Sequence, residues 1–149
     1  MKARIWISRV LVLAVFAVNL YCAFVFIFLP ANYLHAYELS GASGMAAIQG
    51  IGVAFLMWNV TYPFVIARPN RFRVVFIVVL IQQIVGLMGE TFILLTLPAG
   101  YEVLAGNITR FILFDTAGFV FLLVAFFLSR SKKNTGDVPE EHATIETKE

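Results

Sequence analysis

The sequence predicts an all-α integral membrane protein: an antiparallel bundle of four transmembrane helices with both termini in the cytoplasm. Composition is the first observation behind this. Of the 149 residues 60% are hydrophobic and only 13% charged, where soluble domains carry about a quarter charged, and the mean hydropathy is +0.87. The second is a set of apolar stretches at about residues 5–29, 44–67, 74–97 and 105–128. Each reaches the roughly 20 residues that cross a bilayer and lacks the polar outer face of a soluble bundle helix. The third is charge placement. Lys2, Arg4, Arg9, Arg68, Arg71, Arg73, Arg130, Lys132 and Lys133 lie at the N-terminus, in the second connection or at the start of the tail. An even number of crossings puts those three regions on one side, and the positive-inside rule makes that side the cytoplasm. Residues 1–130 are thus read as a transmembrane domain and 131–149 as a disordered cytoplasmic tail, rich in acidic residues and free of aromatics. The basic residues hug helix ends and form no patch or arm, which argues against nucleic acid as a partner.

The first stretch resembles a signal peptide in its basic start, but its apolar run is too long and no small-x-small cleavage site follows. It is read as a retained helix carrying one strongly polar residue, Asn19, suited to an interhelical hydrogen bond. Pro30 ends it. Between Ala31 and Ser43, Tyr33, Leu34 and Tyr37 at helical spacing predict a short turn with its rings at the membrane interface.

The second helix carries Ala46, Gly50 and Ala54 at four-residue spacing, a small-residue row that predicts close backbone approach. Gly52 and Asn59 lie on another side, so two neighbours are expected, and Pro63 is expected to kink the cytoplasmic end. Arg68-Pro-Asn-Arg-Phe-Arg73 makes a tight connection to the third helix.

The third helix holds the main polar feature. At about 100° per residue, Gln82, Gln83, Gly86, Gly89 and Glu90 share an arc of roughly 120°. An ionisable group at membrane depth points to function and demands a partner. The expected partner is Arg110 on the fourth helix. Glu90 lies about 10 Å, and Arg110 about 8 Å, below the outer ends of their helices. Asp115, about 15 Å down, is expected to be neutral or hydrogen-bonded to Gln83 or Asn19. Gly86, Gly89 and Gly118 are further candidates for close helix packing.

Several chemistries are excluded by residue inventory. The single Cys22 forms no redox pair, and the two histidines, His35 and His142, lie outside the helices, where they hold no haem. No cluster supplies the three or four ligands of a zinc site, and there is no phosphate loop or nucleophile–base set. No metal or cofactor is therefore expected. Small multidrug exporters place their carboxylate in the first helix, and microsomal glutathione transferases carry an Arg/Asn/Glu-rich motif that this sequence lacks.

The Pro30 exit, the glycine-rich entry at Gly41–Gly44, Ile48-Gln-Gly-Ile-Gly52 and the basic hairpin Arg68–Arg73 give the chain a resemblance to the small four-helix bacterial membrane proteins of the DoxX-like group. It covers about residues 5–128. The resemblance implies a bacterial cytoplasmic membrane and an accessory role beside redox or quinone-linked complexes, and it transfers no site residue. Two functions follow from the sequence. The first is a non-catalytic accessory subunit that meets a membrane-protein partner or a second copy, its polar cluster fixing helix register. The alternative is a binder or carrier of a small amphipathic molecule such as a quinone or lipid, or a proton relay, using Gln82, Gln83, Glu90, Arg110, Asp115 and Asn19.

Overall fold

A computed structural model describes residues 2–130; the expected tail, 131–149, lies outside the described residues. The described chain is all-helical. Helix α1 runs Lys2–Phe28, α2 Gly41–Asn59, α3 Tyr62–Ala67, α4 Arg73–Thr96 and α5 Glu102–Leu128. With α2 and α3 taken as one interrupted helix, four helices are long and apolar enough to cross a membrane. Their outward faces are apolar along the whole length, with Leu13, Met57, Val74, Met88, Leu95 and Leu113 exposed, a surface compatible with contact to lipid.

Local sequence accounts for each boundary. Pro30 stops α1, and two 3₁₀ turns follow, Pro30–Tyr33 and His35–Tyr37; the expected interfacial turn therefore forms as two short pieces. Glu38 closes the second turn in the left-handed conformation (φ 50°), and its carboxylate accepts the Leu104 backbone N–H at 3.4 Å. That bond occupies one of the donors α5 leaves free in its first turn. Gly100, at φ 97°, makes the tight turn between α4 and α5 that a side chain with a Cβ would resist.

The interruption between α2 and α3 follows from Pro63, which has no N–H for the Asn59 carbonyl and whose ring crowds it. The chain adapts by tightening: Val60 N–H bonds Met57 O at 3.4 Å, and the Thr61 hydroxyl donates to Trp58 O at 3.3 Å. The break falls at residues 60–61, and the segment beyond it turns toward α1 and α4.

Helix α1 packs against α2 and α5, and α5 against α4; α3 reaches both α1 and α4. Along most of their length α2 and α4 scarcely touch. The backbones of α2 and α4 thus leave a gap between them, crossed by α3 at one end and by the Trp58 ring, which reaches Gly86.

That bridged end holds the core: Val12, Val15, Tyr62, Val65, Phe76, Val79, Leu80, Leu122 and Ala125. Polar contacts fasten it. Ser8, fully buried, donates to Ala125 O at 2.8 Å, and Arg9 donates to Ala67 O at the end of α3 at 2.6 Å. Arg73 bonds the Ser129 hydroxyl at 3.3 Å and lies 4.0 Å above the Phe126 ring. At the opposite end Phe26 meets Tyr33, Tyr37, Phe55 and Phe111 with ring centroids 4.8–6.2 Å apart. This aromatic cluster ties the 3₁₀ turns to three helices.

The small-residue row needs correction. Ala46, Gly50 and Ala54 are exposed, and a Cβ on Gly50 would meet nothing within 4 Å. The close approach is on the neighbouring face, where Gly44, Ile48 and Gly52 are buried. A Cβ on Gly52 would lie 2.9 Å from Ala23 O on α1. Both rows have four-residue spacing; the second wins because Ile48 adds a large apolar side chain to it.

Candidate functional site

The gap between α2 and α4 leads into a chamber of about 330 Å³ at mid-length. Its sides are Ile51, Ala54, Phe55 and Trp58 from α2 and Val85, Gly86, Gly89, Glu90 and Ile93 from α4. Its back wall holds Asn19 from α1, Gln83 from α4 and Asp115 from α5. A second chamber of about 230 Å³ continues toward the 3₁₀ turns and shares Ile51, Phe55, Glu90 and Ile93 with the first. Tyr37, Asn107, Ile108 and Phe111 complete it. Glu90 thus stands where the two chambers meet.

The helical period places these groups together. Gln83, Gly86 and Glu90 follow at three and four residues on one face of α4, and the missing side chain at Gly86 makes room for its neighbours. A Cβ there would sit 3.0 Å from the Trp58 ring and 3.3 Å from Asp115 Oδ2. At Gly118, behind the chamber, an added Cβ would lie 3.5 Å from both Gln83 Nε2 and Val15, an ordinary packing distance. Gly89 makes no such contact: nothing lies within 4 Å of a Cβ built on it, and it faces the first chamber. Two of the three expected packing glycines on α4 and α5 are contact positions, and the third lines empty space.

The polar groups divide into satisfied and unsatisfied. Gln83, 2% exposed, donates at 3.2 Å to the Asp115 backbone carbonyl, where the sequence led to a bond with the Asp115 carboxyl. Gln82 points elsewhere and accepts from the Thr61 hydroxyl at 3.3 Å, tying α4 to the break after α2. By contrast Trp58 Nε1 and Glu90 Oε2 are buried with no hydrogen-bond partner among the described residues, and buried Asn19 has the Tyr62 hydroxyl beside it. All three residues line the first chamber. Asn107 Nδ2 in the second chamber is likewise buried. A buried polar group without a partner costs about 1–3 kcal/mol, so each such group asks for a partner from outside the chain. Tyr37 stands beside Asn107, and burial pushes its phenol up to about 12; it therefore stays protonated near neutrality and keeps its O–H.

The expected Glu90–Arg110 pair is not formed. Arg110 is exposed and lines an adjoining, more polar pocket of about 410 Å³ with His35, Glu102 and Asn107, the last shared with the second chamber. Equal depth by helix rise leaves the direction around the helix free. Arg110 precedes Asp115 by five residues, and five steps of about 100° turn it well away from the face that Asp115 presents.

Trp58 and Tyr62 were not singled out by the sequence. Tyr62 is fully buried beside the α1 core, with its hydroxyl next to Asn19. A signal for both exists in Trp58-Asn-Val-Thr-Tyr-Pro63, a run of polar-tipped residues interrupting an apolar helix at its break. Among the described residues no group of three or more His, Cys, Asp or Glu side chains is placed to hold a metal ion. The arrangement can offer hydrogen bonds and negative charge to a guest inside apolar walls. Compared with known proteins, the chain matches no family model, no curated protein and no solved structure.

Proposed function

We propose that this protein binds a small amphipathic molecule in the cleft between α2 and α4, taking it up sideways from a surrounding bilayer. In this reading the chain crosses a bacterial cytoplasmic membrane four times with antiparallel helices, both termini inside. The charge pattern supports the orientation: Lys2, Arg4, Arg9, Arg68, Arg71, Arg73 and Arg130 mark one end of the bundle, while Glu38, Glu102 and Arg110 mark the other. The likeness to the DoxX-like group supports the helix plan and contributes no site residue.

One observation carries the binding proposal. The apolar chamber of about 330 Å³ holds two buried polar atoms without a partner among the described residues, Trp58 Nε1 and Glu90 Oε2. Its volume falls at the lower end of small-molecule sites, about 300–1,000 Å³, which characteristically join apolar walls to a few placed polar groups. A cluster serving only to fix helix register should satisfy its own hydrogen bonds. Here Gln82 and Gln83 do so, while Trp58 Nε1 and Glu90 Oε2 do not. Helix α2 and helix α4 supply the opening, so a guest dissolved in hydrocarbon reaches the chamber without crossing a polar surface.

Native mass spectrometry of gently solubilised protein tests this. Wild type should carry a reproducible adduct of a few hundred daltons that is lost in Glu90→Gln and in Gly89→Leu. The second substitution fills the chamber from a position with open space and leaves both carboxyls in place. Arg110→Gln, outside the cleft, should retain the adduct. A bare chain, or one that holds the same partner protein in every variant, would overturn the binding proposal in favour of the accessory-subunit reading.

A further inference from the structure

We propose that the occupant of the cleft is an organic cation, a compact quaternary or protonated amine carried on an apolar body. This rests on the cleft being a binding site and adds the charge class of its guest.

The charge of the walls is one-sided. Glu90 lines both chambers and Asp115 the first, and no lysine, arginine or histidine lines either. Arg110, which the sequence offers as counter-ion, lines the adjoining pocket beyond Asn107 and neither chamber. An ionised carboxyl in apolar surroundings is stable only with a partner charge or a full set of hydrogen bonds. Glu90 Oε2 is buried without a hydrogen bond. A cationic guest supplies what the chain omits, and an anionic guest would meet two carboxyls with nothing to offset them.

Two independent features fit the same guest. Glu90 is joined on the wall by Asn19, only 4% exposed and set beside the Tyr62 hydroxyl, so the back of the chamber is polar without carrying positive charge. The walls are also aromatic: Trp58 and Phe55 in the first chamber, Phe55, Phe111 and Tyr37 in the second. Ring faces attract a desolvated cation, and tryptophan does so best. The Trp58 N–H is the one unpartnered donor among the described residues of the first chamber, so a hydroxyl, ether or carbonyl near the ammonium group would complete the match.

The test is equilibrium dialysis of the full chain in nanodiscs of zwitterionic lipid against three probes, with empty nanodiscs as the blank. Benzyltrimethylammonium is the cation, neopentylbenzene its uncharged carbon isostere, and menadione a neutral molecule with carbonyl acceptors. The cation should bind at least about tenfold more tightly than the isostere, an energy within reach of one buried cation–aromatic contact. Glu90→Gln or Asp115→Asn should remove that preference, and Gly89→Leu should abolish binding of every probe. If a neutral probe binds as tightly as the cation, and Gly89→Leu still abolishes binding, the cation class is wrong and the cleft remains a binding site. If no probe binds above the blank, the cleft is no binding site and both proposals fall together.

Discussion

Replacing Gly52 by alanine tests the packing on which the cleft depends. A Cβ at Gly52 would stand 2.8 Å from Ile27 Cγ1, 2.9 Å from Ala23 O and 3.0 Å from Phe26 Cβ. The Ile27 atom can swing away, but the other two are fixed by the α1 backbone, so α1 and α2 must separate or slide. Overpacking of this kind costs about 1–3 kcal/mol, which shifts the unfolding equilibrium roughly 5- to 150-fold. Gly50, two residues earlier, meets nothing within 4 Å of an added Cβ, so Gly50→Ala should stay within about 0.5 kcal/mol of wild type. Reversible unfolding in mixed dodecylmaltoside and SDS micelles, followed by far-ultraviolet circular dichroism, measures both. Equal loss in the two variants, or no loss in Gly52→Ala, would refute the assignment and return the contact to the Ala46–Gly50–Ala54 face.

Two further substitutions probe other parts of the framework. Ser8→Ala removes the donor to Ala125 O, a fully buried bond of 2.8 Å, and should cost about 0.5–1.5 kcal/mol in the same unfolding assay. Pro63→Ala restores a donor for the Asn59 carbonyl and should let α2 and α3 run on as one helix. The bridge from α3 to α4 then weakens, and uptake of a cleft ligand should fall at least about tenfold, or about 1.4 kcal/mol, by equilibrium dialysis; unchanged binding would show that the break does not shape the cleft.

Much of the fold was legible because hydropathy and proline act locally. The four spans appear within a few residues of their sequence positions, with α1 beginning at Lys2 and α5 at Glu102. Pro30 and Pro63 mark the first exit and the break after α2. Of the candidate site, Asn19, Gln83, Glu90 and Asp115 converge on one chamber, since polar residues in long apolar helices turn toward the bundle interior. Gln82 and Arg110 do not join them. Gln82 is next to Gln83 in sequence, but adjacent helical positions point about 100° apart. Arg110 is held off by the angular position of its residue on α5, which only the neighbouring helices determine. The same reason hid the packing row on α2: two small-residue rows with equal spacing cannot be ranked without knowing which one faces α1. The gap between α2 and α4 was not legible at all, because it results from helix packing order.

The central claim is that hydrocarbon reaches the chamber through that gap, and Trp58 is placed to report it. The chain has two tryptophans, and Trp6→Phe removes the exposed one near the N-terminus, leaving Trp58 on the chamber wall. The direct measurement is Trp58 emission in bilayers of lipids brominated along the acyl chain, compared with the same protein carrying Gly89→Leu. Strong quenching by acyl-chain bromine, relieved when leucine fills the chamber, is the predicted result. Emission insensitive to bromine, or quenched equally with the chamber filled, would mean that no lateral cleft leads from hydrocarbon to Trp58.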